Sequence, residues 1–164
     1  MNTYYARHRM DLDVDQATRN YICANHLVAI HFPYDVNGDL PDDKDNDSLD
    51  PADHPMNGAR AVGALLDLSV YGGYVYAEYS RSESSVLRAC GIVLPGTPII
   101  HFTGKWGSTN GNLARDADLK TLKMVHVNMY PPKIPDPPAR GTLSQWPSVG
   151  TRVSDMFKGV VIDR

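Results

Sequence analysis

Residues 27–32, Leu-Val-Ala-Ile-His-Phe, alternate as a β-strand does and are stopped by Pro33. Period-two alternation puts Val28, Ile30 and Phe32 on one face and Leu27, Ala29 and His31 on the other. Proline lacks the amide hydrogen that a ladder needs, so the chain turns there. The turn gathers His31, Phe32, Tyr34 and Asp35 at one strand end. An imidazole, a phenol and a carboxylate so placed can wall a polar ligand pocket, or form an ordinary strand-to-loop junction.

Other tracts carry equally readable periods. Residues 4–9 read as a short strand, aromatic and then basic. Asp13, with Gln16 three residues on, has the form of a capping box and starts a helix over 14–25. Ala61, Val62, Leu65, Leu66 and Val70 recur at helical spacing over 58–70, and Gly72-Gly73 ends that helix. Residues 74–80 then alternate, with Tyr74, Tyr76 and Glu78 on one side and Val75, Ala77 and Tyr79 on the other. Residues 86–94 form a further strand leading into a Pro95-Gly96 turn, and 98–102 and 119–130 are strands as well. The stretch 104–112 is too glycine-rich for regular structure. Residues 131–138 are proline-rich and extended, and 153–157 form a short helix or strand.

At 164 residues, with no second hydrophobic core and no repeat, the chain reads as one domain over 1–164. Short strands with helices inserted early imply an α+β fold with a curled antiparallel or mixed sheet, or a barrel, and two or three helices. No apolar run approaches the roughly twenty residues of a membrane span, and no secretory leader is evident, so the expected place is the cytoplasm. Cys23 and Cys90 are then expected as free, buried thiols.

The net charge of −3 is unevenly spread. Within the loop over 36–57 and its leading Asp35, eight aspartates oppose Lys44 alone, a local −7, which leaves the rest of the chain at +4. A loop of that length and sign is expected to stand in solvent, leaving the body free to offer a positive face to phosphates.

Several chemistries are poorly served by these residues. Cys23-x-x-His26 with His31 lacks a second ligand pair for zinc. Asp43, Asp45 and Asp47 alternate as in a calcium loop, but Ser48 stands where glycine is needed and His54 where the bidentate glutamate would be. There is no Gly-x-Ser-x-Gly elbow and no phosphate-binding Gly-x-x-x-x-Gly-Lys, so neither metal nor cofactor is expected. Interleaved aromatic and basic residues suit a nucleobase and its phosphates better. Arg7, His8 and Arg9 follow Tyr4 and Tyr5, with Arg60, Arg81, Arg88, Lys105 and Arg115 elsewhere; Tyr4, Tyr76 and Tyr130 are equally at home as strand residues. Cleavage of an N-glycosidic bond passes through an oxocarbenium-like state that one carboxylate can stabilise while activating water. Asp35 is the first candidate and Glu78, a charge in an otherwise aromatic and apolar strand, the second.

The run Tyr4-Tyr5-Ala6-Arg7-His8-Arg9, Val28-Ala29-Ile30-His31-Phe32-Pro33, Gly72-Gly73-Tyr74-Val75-Tyr76-Ala77-Glu78-Tyr79, Lys105-Trp106-Gly107, and Gly141-Thr142 with Trp146-Pro147 spans most of the chain. Together these resemble the small bacterial phage-defence DNA glycosylases that remove glucosylated hydroxymethylcytosine. The strand order also resembles PUA-like modified-base readers of the EVE and YTH type. The Gly-Gln-Asp-Pro-Tyr run of uracil-DNA glycosylases and the helix-hairpin-helix glycine motif are both absent, so no catalytic residue carries over from those families. What the resemblance implies is DNA with a modified, flipped base as the partner, with no membrane and no obligate protein partner. The expected roles are Asp35, Glu78 and His31 in catalysis; Tyr5, Arg7, His8, Phe32, Tyr34, Tyr79 and Trp106 on the base; and Arg9 and Lys105 on phosphates. A non-catalytic reader is the alternative.

Overall fold

The computed structural model describes residues 1–9, 12–37, 39, 45–82, 85–106, 115–139 and 141–160, the side chains of residues 81 and 82 excepted. Asp42, Asp43 and Lys44 of the acidic loop, residues 107–112 of the glycine-rich stretch and the Arg81 side chain therefore lie outside the described residues. The chain is a mixed α/β structure. In order it runs β1 (Thr3–His8), α1 (Gln16–Ala24), β2 (Leu27–Ile30), a 3-10 turn (Pro51–Asp53), α2 (Met56–Tyr71), β3 (Gly73–Ser82), β4 (Ser85–Val93), β5 (Ile100–Trp106), β6 (Arg115–Lys123), β7 (Val125–Asn128) and β8 (Leu143–Gln145). Two 3-10 helices follow, Pro147–Val149 and Ser154–Phe157.

The strands form two open sheets and no barrel. One is five-stranded in the order β7-β4-β3-β1-β8, and the other is three-stranded in the order β2-β6-β5. Strands β1 and β3 pair in parallel, joined by the long crossover that carries α1, β2 and α2; the other pairings are antiparallel. The five-stranded sheet is covered on both faces. On one, Tyr4, Ala6, Val75, Ala77 and Tyr79 share a core with α2 (Val62, Leu65, Leu68) and with the second sheet (Val28, Ile30, Leu119, Leu122). On the other, Tyr5, Tyr76, Cys90 and Ile92 pack under Ile134, Trp146, Val149, Val153 and Phe157 of the C-terminal segment.

The alternation over residues 74–80 is therefore a true inside-outside division, except that both sides are buried. Helix α2 extends two residues earlier and one later than its apolar stripe, and ends at Gly72, whose φ of 70° suits a residue without a Cβ. Four expectations are corrected. First, α1 is capped by Asp15, not Asp13: the Asp15 carboxylate accepts the Thr18 amide at 2.8 Å, while the Asp13 carbonyl is taken by His31 Nδ1 at 3.0 Å. Second, residues 119–130 are not one strand. The chain leaves the three-stranded sheet at Met124, whose amide bonds the His26 carbonyl at 2.9 Å, and joins the other sheet as β7. Third, Gly104, Lys105 and Trp106 are part of β5. The first turn of α1 lies so close over Gly104 that any Cβ there would collide with the Thr18 side chain, and Lys105 N donates to Thr18 Oγ1 at 3.0 Å.

The fourth correction concerns the acidic loop, whose described part is exposed at several residues but is pinned to the body at Asp45 and Asn46. Asn46 is 2% exposed and acts as its keystone: its amide donates to the Phe32 carbonyl at 2.9 Å, Nδ2 to the Asp53 carbonyl at 2.7 Å, and Oδ1 accepts from the Ser48 amide at 3.1 Å. The fully buried Lys120 of β6 donates to the Asn46 carbonyl at 3.0 Å. An apolar strand and an aspartate-rich loop are held together because each satisfies main-chain groups the other leaves unpaired.

His8 shows how completely the crossover face is sealed. Its Nε2 accepts the Ala29 amide at 2.9 Å, which requires the neutral ring, and burial pushes its pKa down to about 4. The unfolded chain, with an ordinary histidine, takes up a proton first as pH falls, so this contribution to stability is complete above about pH 6.5 and is lost on going down towards pH 4. Urea titrations from pH 7 to pH 4.5 are expected to lose roughly 3 kcal/mol through this group, and the pH slope should flatten in His8→Gln. Asn46→Ala should cost about 2 kcal/mol in the same assay, against under about 0.5 kcal/mol for Asp39→Ala on the exposed part of the loop.

Candidate functional site

Parallel pairing of β1 and β3 sets Tyr5 opposite Tyr76 and Arg7 opposite Glu78; antiparallel pairing then sets Glu78 opposite Arg88. A carboxylate thus lies between two arginines in one row across three adjacent strands, with a row of Tyr5, Tyr76 and Cys90 beside it. Arg7 and Glu78 sit in the C-terminal halves of two parallel strands, the end where open α/β sheets gather ligands.

Glu78 is 6% exposed. Its Oε1 accepts a hydrogen bond from the Tyr5 hydroxyl, and its Oε2 lies 3.2 Å from Arg88 Nε. Burial, and then the bond to Glu78, push the Tyr5 phenol well above its ordinary range, so Tyr5 remains a donor. Arg7 stands 5.4 Å over the Tyr5 ring and donates to the carbonyls of Ala139, at 3.0 Å, and Pro138. Trp146 meets Tyr5 and Tyr76 edge-on, with centroids at 5.7 and 5.9 Å. The Tyr76 hydroxyl donates to the Pro132 carbonyl and accepts from the Ile134 amide, both at 3.4 Å. The proline-rich segment therefore lies across this face, bonded to Tyr76 near one end and Arg7 near the other. A carboxylate held between a guanidinium and a phenol is fixed in its aim, which is what stabilising a developing cation demands.

His31 belongs to a different cluster. With Nδ1 on the Asp13 carbonyl, its Nε2 lies 3.0 Å from Asp45 Oδ1, and Asp45 Oδ2 accepts the Asp118 amide at 2.8 Å. Burial alone would raise the Asp45 pKa, but the bonds from His31 and Asp118 outweigh it and hold the carboxyl below its usual range. Burial draws the Lys120 ammonium down, opposed by Asp47, Asp118 and Asp45. Trp106 lies 5.8 Å from the His31 ring, has Arg115 over its own ring at 5.4 Å, and donates Nε1–H to the Asp116 carbonyl at 3.2 Å. Lys105 pairs with Asp116.

The remaining expected residues divide further. Asp35 is used by its own loop, its Oδ1 accepting the amides of Asn37 at 2.9 Å and Asp39 at 3.2 Å. Phe32 and Tyr34 gather around His54, whose Nδ1 is 3.2 Å from the Tyr34 hydroxyl. His8 and Tyr79 are core partners at 5.6 Å, with the Tyr79 hydroxyl on the Leu27 carbonyl at 2.9 Å. Arg9 is exposed just past β1. The structure thus brings Tyr5, Arg7 and Glu78 together, His31 with Trp106, and Phe32 with Tyr34, in separate groups.

Trp146, Asp45, Asn46 and Lys120 were not legible as partners from the chain. Lys120 carries the one available signal, a lysine on the same strand face as Leu122 within a stretch, 119–122, that is buried throughout. Among the described residues, no group of three or more His, Cys, Asp or Glu could hold a metal ion, and no helix is long and apolar enough to cross a membrane. Cys23 and Cys90 are not joined in a disulfide; the first is half-buried and the second buried. No family model, curated protein or solved structure matches this chain.

Proposed function

We propose that the protein is a DNA glycosylase that flips a modified cytosine and cleaves its N-glycosidic bond, with Glu78 as the catalytic carboxylate. The observation that carries the reading is the buried Glu78, hydrogen-bonded at one oxygen by Tyr5 and ion-paired at the other with Arg88, in line with Arg7 in the C-terminal halves of two parallel strands. In this mechanism the C1′–N1 bond breaks with its electron pair leaving on the base. Water adds to C1′, its proton passes to Glu78, and that proton is returned through solvent to the departed base anion, which restores the carboxylate. A carboxylate has about four lone-pair positions, so the bonds to Tyr5 and Arg88 leave it capacity to orient that water. Arg9, exposed just beyond β1, serves the phosphates, and base flipping gives the reaction access to C1′. Asp35 has no part in this step, since its carboxylate closes its own turn.

The likeness of the sequence to the phage-defence glycosylases makes glucosylated hydroxymethylcytosine the first substrate to offer. A reader that holds the base uncut is the second reading, favoured by the engagement of both Glu78 oxygens. DNA carrying the modified base should acquire alkali-labile sites on incubation with the protein, and Glu78→Gln should slow their formation by about 10²- to 10⁴-fold with binding retained. Saturable binding without any alkali-labile product, unchanged in Glu78→Gln, supports the reader. Neither product nor binding removes both.

A further inference from the structure

Glu78 is closed off, and the proline-rich segment is part of what closes it. The pairing of β1 with β3 makes Tyr5, Tyr76, Glu78 and Arg7 the corners of one patch on the sheet face. The segment is bonded to Tyr76 at Pro132 and Ile134, and to Arg7 at Pro138 and Ala139, which are opposite corners of that patch. It therefore crosses the patch on the diagonal, and Tyr5 and Glu78 are both buried. A nucleobase cannot meet a carboxylate covered in this way until the cover moves.

The cover is lightly held. Five of the eight residues over 131–138 are proline, which has no amide hydrogen to donate. Among the described residues, no hydrogen bond between main chains joins 131–139 to the sheet. What holds the segment is side-chain bonding: the two bonds of Tyr76 are long, at 3.4 Å, and those of Arg7 go to neutral carbonyls. Pro131 and Ile134 are buried, whereas Pro132, Lys133, Pro135 and Asp136 are exposed. Between the two attachments Asp136 stands at φ 57°, a left-handed conformation that is costly for most L-residues and least so for Asn and Asp. Few buried contacts and no ladder place this segment at the low-stability end of the molecule.

We propose that residues 131–139 are a lid over Glu78, latched by Tyr76 and Arg7, and released when a phosphodiester of the nucleic acid takes Arg7 from the Pro138 and Ala139 carbonyls. The inference rests on the glycosylase reading for what enters, and adds how it gains entry. A guanidinium bonds an anionic phosphate roughly twice as strongly as a neutral carbonyl, and can do so with two parallel bonds. Once Arg7 is drawn away, the segment keeps only Ile134 and the two long bonds of Tyr76. Arg88 takes no part in the latch, so Glu78 retains its ion pair as the lid lifts. Phosphate binding and access to the carboxylate thereby become one event, with Arg7 as a positioning residue.

Cys90 is a built-in reporter. It is packed in one cluster with Ile134, and burial pushes its thiol up to about 12, so it reacts only once uncovered. In a Cys23→Ser background, alkylation of Cys90 by N-ethylmaleimide and hydrogen exchange at the Ile134 amide are followed together. Tyr76→Phe and Asp136→Val should each speed both by about fivefold or more, with exchange at Val75 and Ala77 of β3 unchanged. Asp136→Asn, which tolerates the same φ, should match the parent. An unmodified oligothymidylate should speed Ile134 exchange saturably, and its uncharged methylphosphonate counterpart should not. In Arg7→Gln, already unlatched, the oligothymidylate should add nothing. The proposal is overturned if Tyr76→Phe and Asp136→Val behave as the parent, or if Val75 and Ala77 accelerate along with Ile134. It is equally overturned if the oligothymidylate leaves Ile134 exchange unchanged, acts as well on Arg7→Gln, or is matched by the uncharged oligomer. No bond is cleaved in these measurements, so a protein that yields no alkali-labile product can still show the lid, and an active glycosylase with a fixed segment removes the lid alone.

Discussion

The parallel pairing of β1 with β3 is the constraint on which the rest of the molecule depends. It sets Arg7 beside Glu78 and Tyr5 beside Tyr76 with no offset, and it obliges the chain to cross over between the two strands with α1, β2 and α2. A slip of one residue would exchange the two faces: Tyr4 and Ala6 would turn to the C-terminal segment, and Tyr5 and Arg7 to the core. The pairing is specified because both faces are buried against different partners. Tyr4, Ala6, Val75, Ala77 and Tyr79 meet the helices and the second sheet, and Tyr5, Tyr76, Cys90 and Ile92 meet Trp146, Ile134 and Phe157.

Two buried charges are tolerated inside this frame for the same physical reason. Glu78 and Lys120 each find hydrogen-bond partners far away in the chain, 73 residues off for Tyr5 and 74 for Asn46. In a medium of low polarity such partners are obligatory, since an unpaired ion would cost far more than the bond contributes. The consequences differ. Lys120 is engaged with a loop that it holds down, together with His31 and Asp45. Glu78 lies in a row whose flanking arginine, Arg7, reaches out to the carbonyls of 138 and 139 in the proline-rich segment. One side chain therefore joins the sheet to its C-terminal cover.

Local periods were read well where one element could satisfy its own backbone. Residues 74–80 alternate because strands do, and Ala61, Val62 and Leu65 of the apolar stripe in α2 are buried as their spacing announces, whereas Val70 of the same stripe is exposed. What failed needed knowledge of a distant neighbour. Asp13 and Asp15 offer the same carboxylate to a helix start, and it is Asp15 that caps α1 while the Asp13 main-chain carbonyl meets His31. Gly104 reads as loop until Thr18 is laid on it. The tract 119–130 looks continuous because β6 and β7 are both extended; the corner at Met124 exists only because two sheets must both be fed. The single pocket imagined from His31, Asp35 and Glu78 fails in the same way, since those three residues lie on elements that face different partners.

The sequence by itself determined the kinds and order of the elements from β1 to β4, and the presence of an isolated glutamate among tyrosines, because period, glycine placement and proline act within a few residues. Only the tertiary structure decided which groups became neighbours: that Glu78 meets Tyr5 and Arg88, that an aspartate-rich loop lies against a buried lysine, and that the proline-rich segment lies across the Glu78 face. Burial makes every charge and every main-chain amide seek a partner, and which partner is within reach is set by the packing of segments many residues apart.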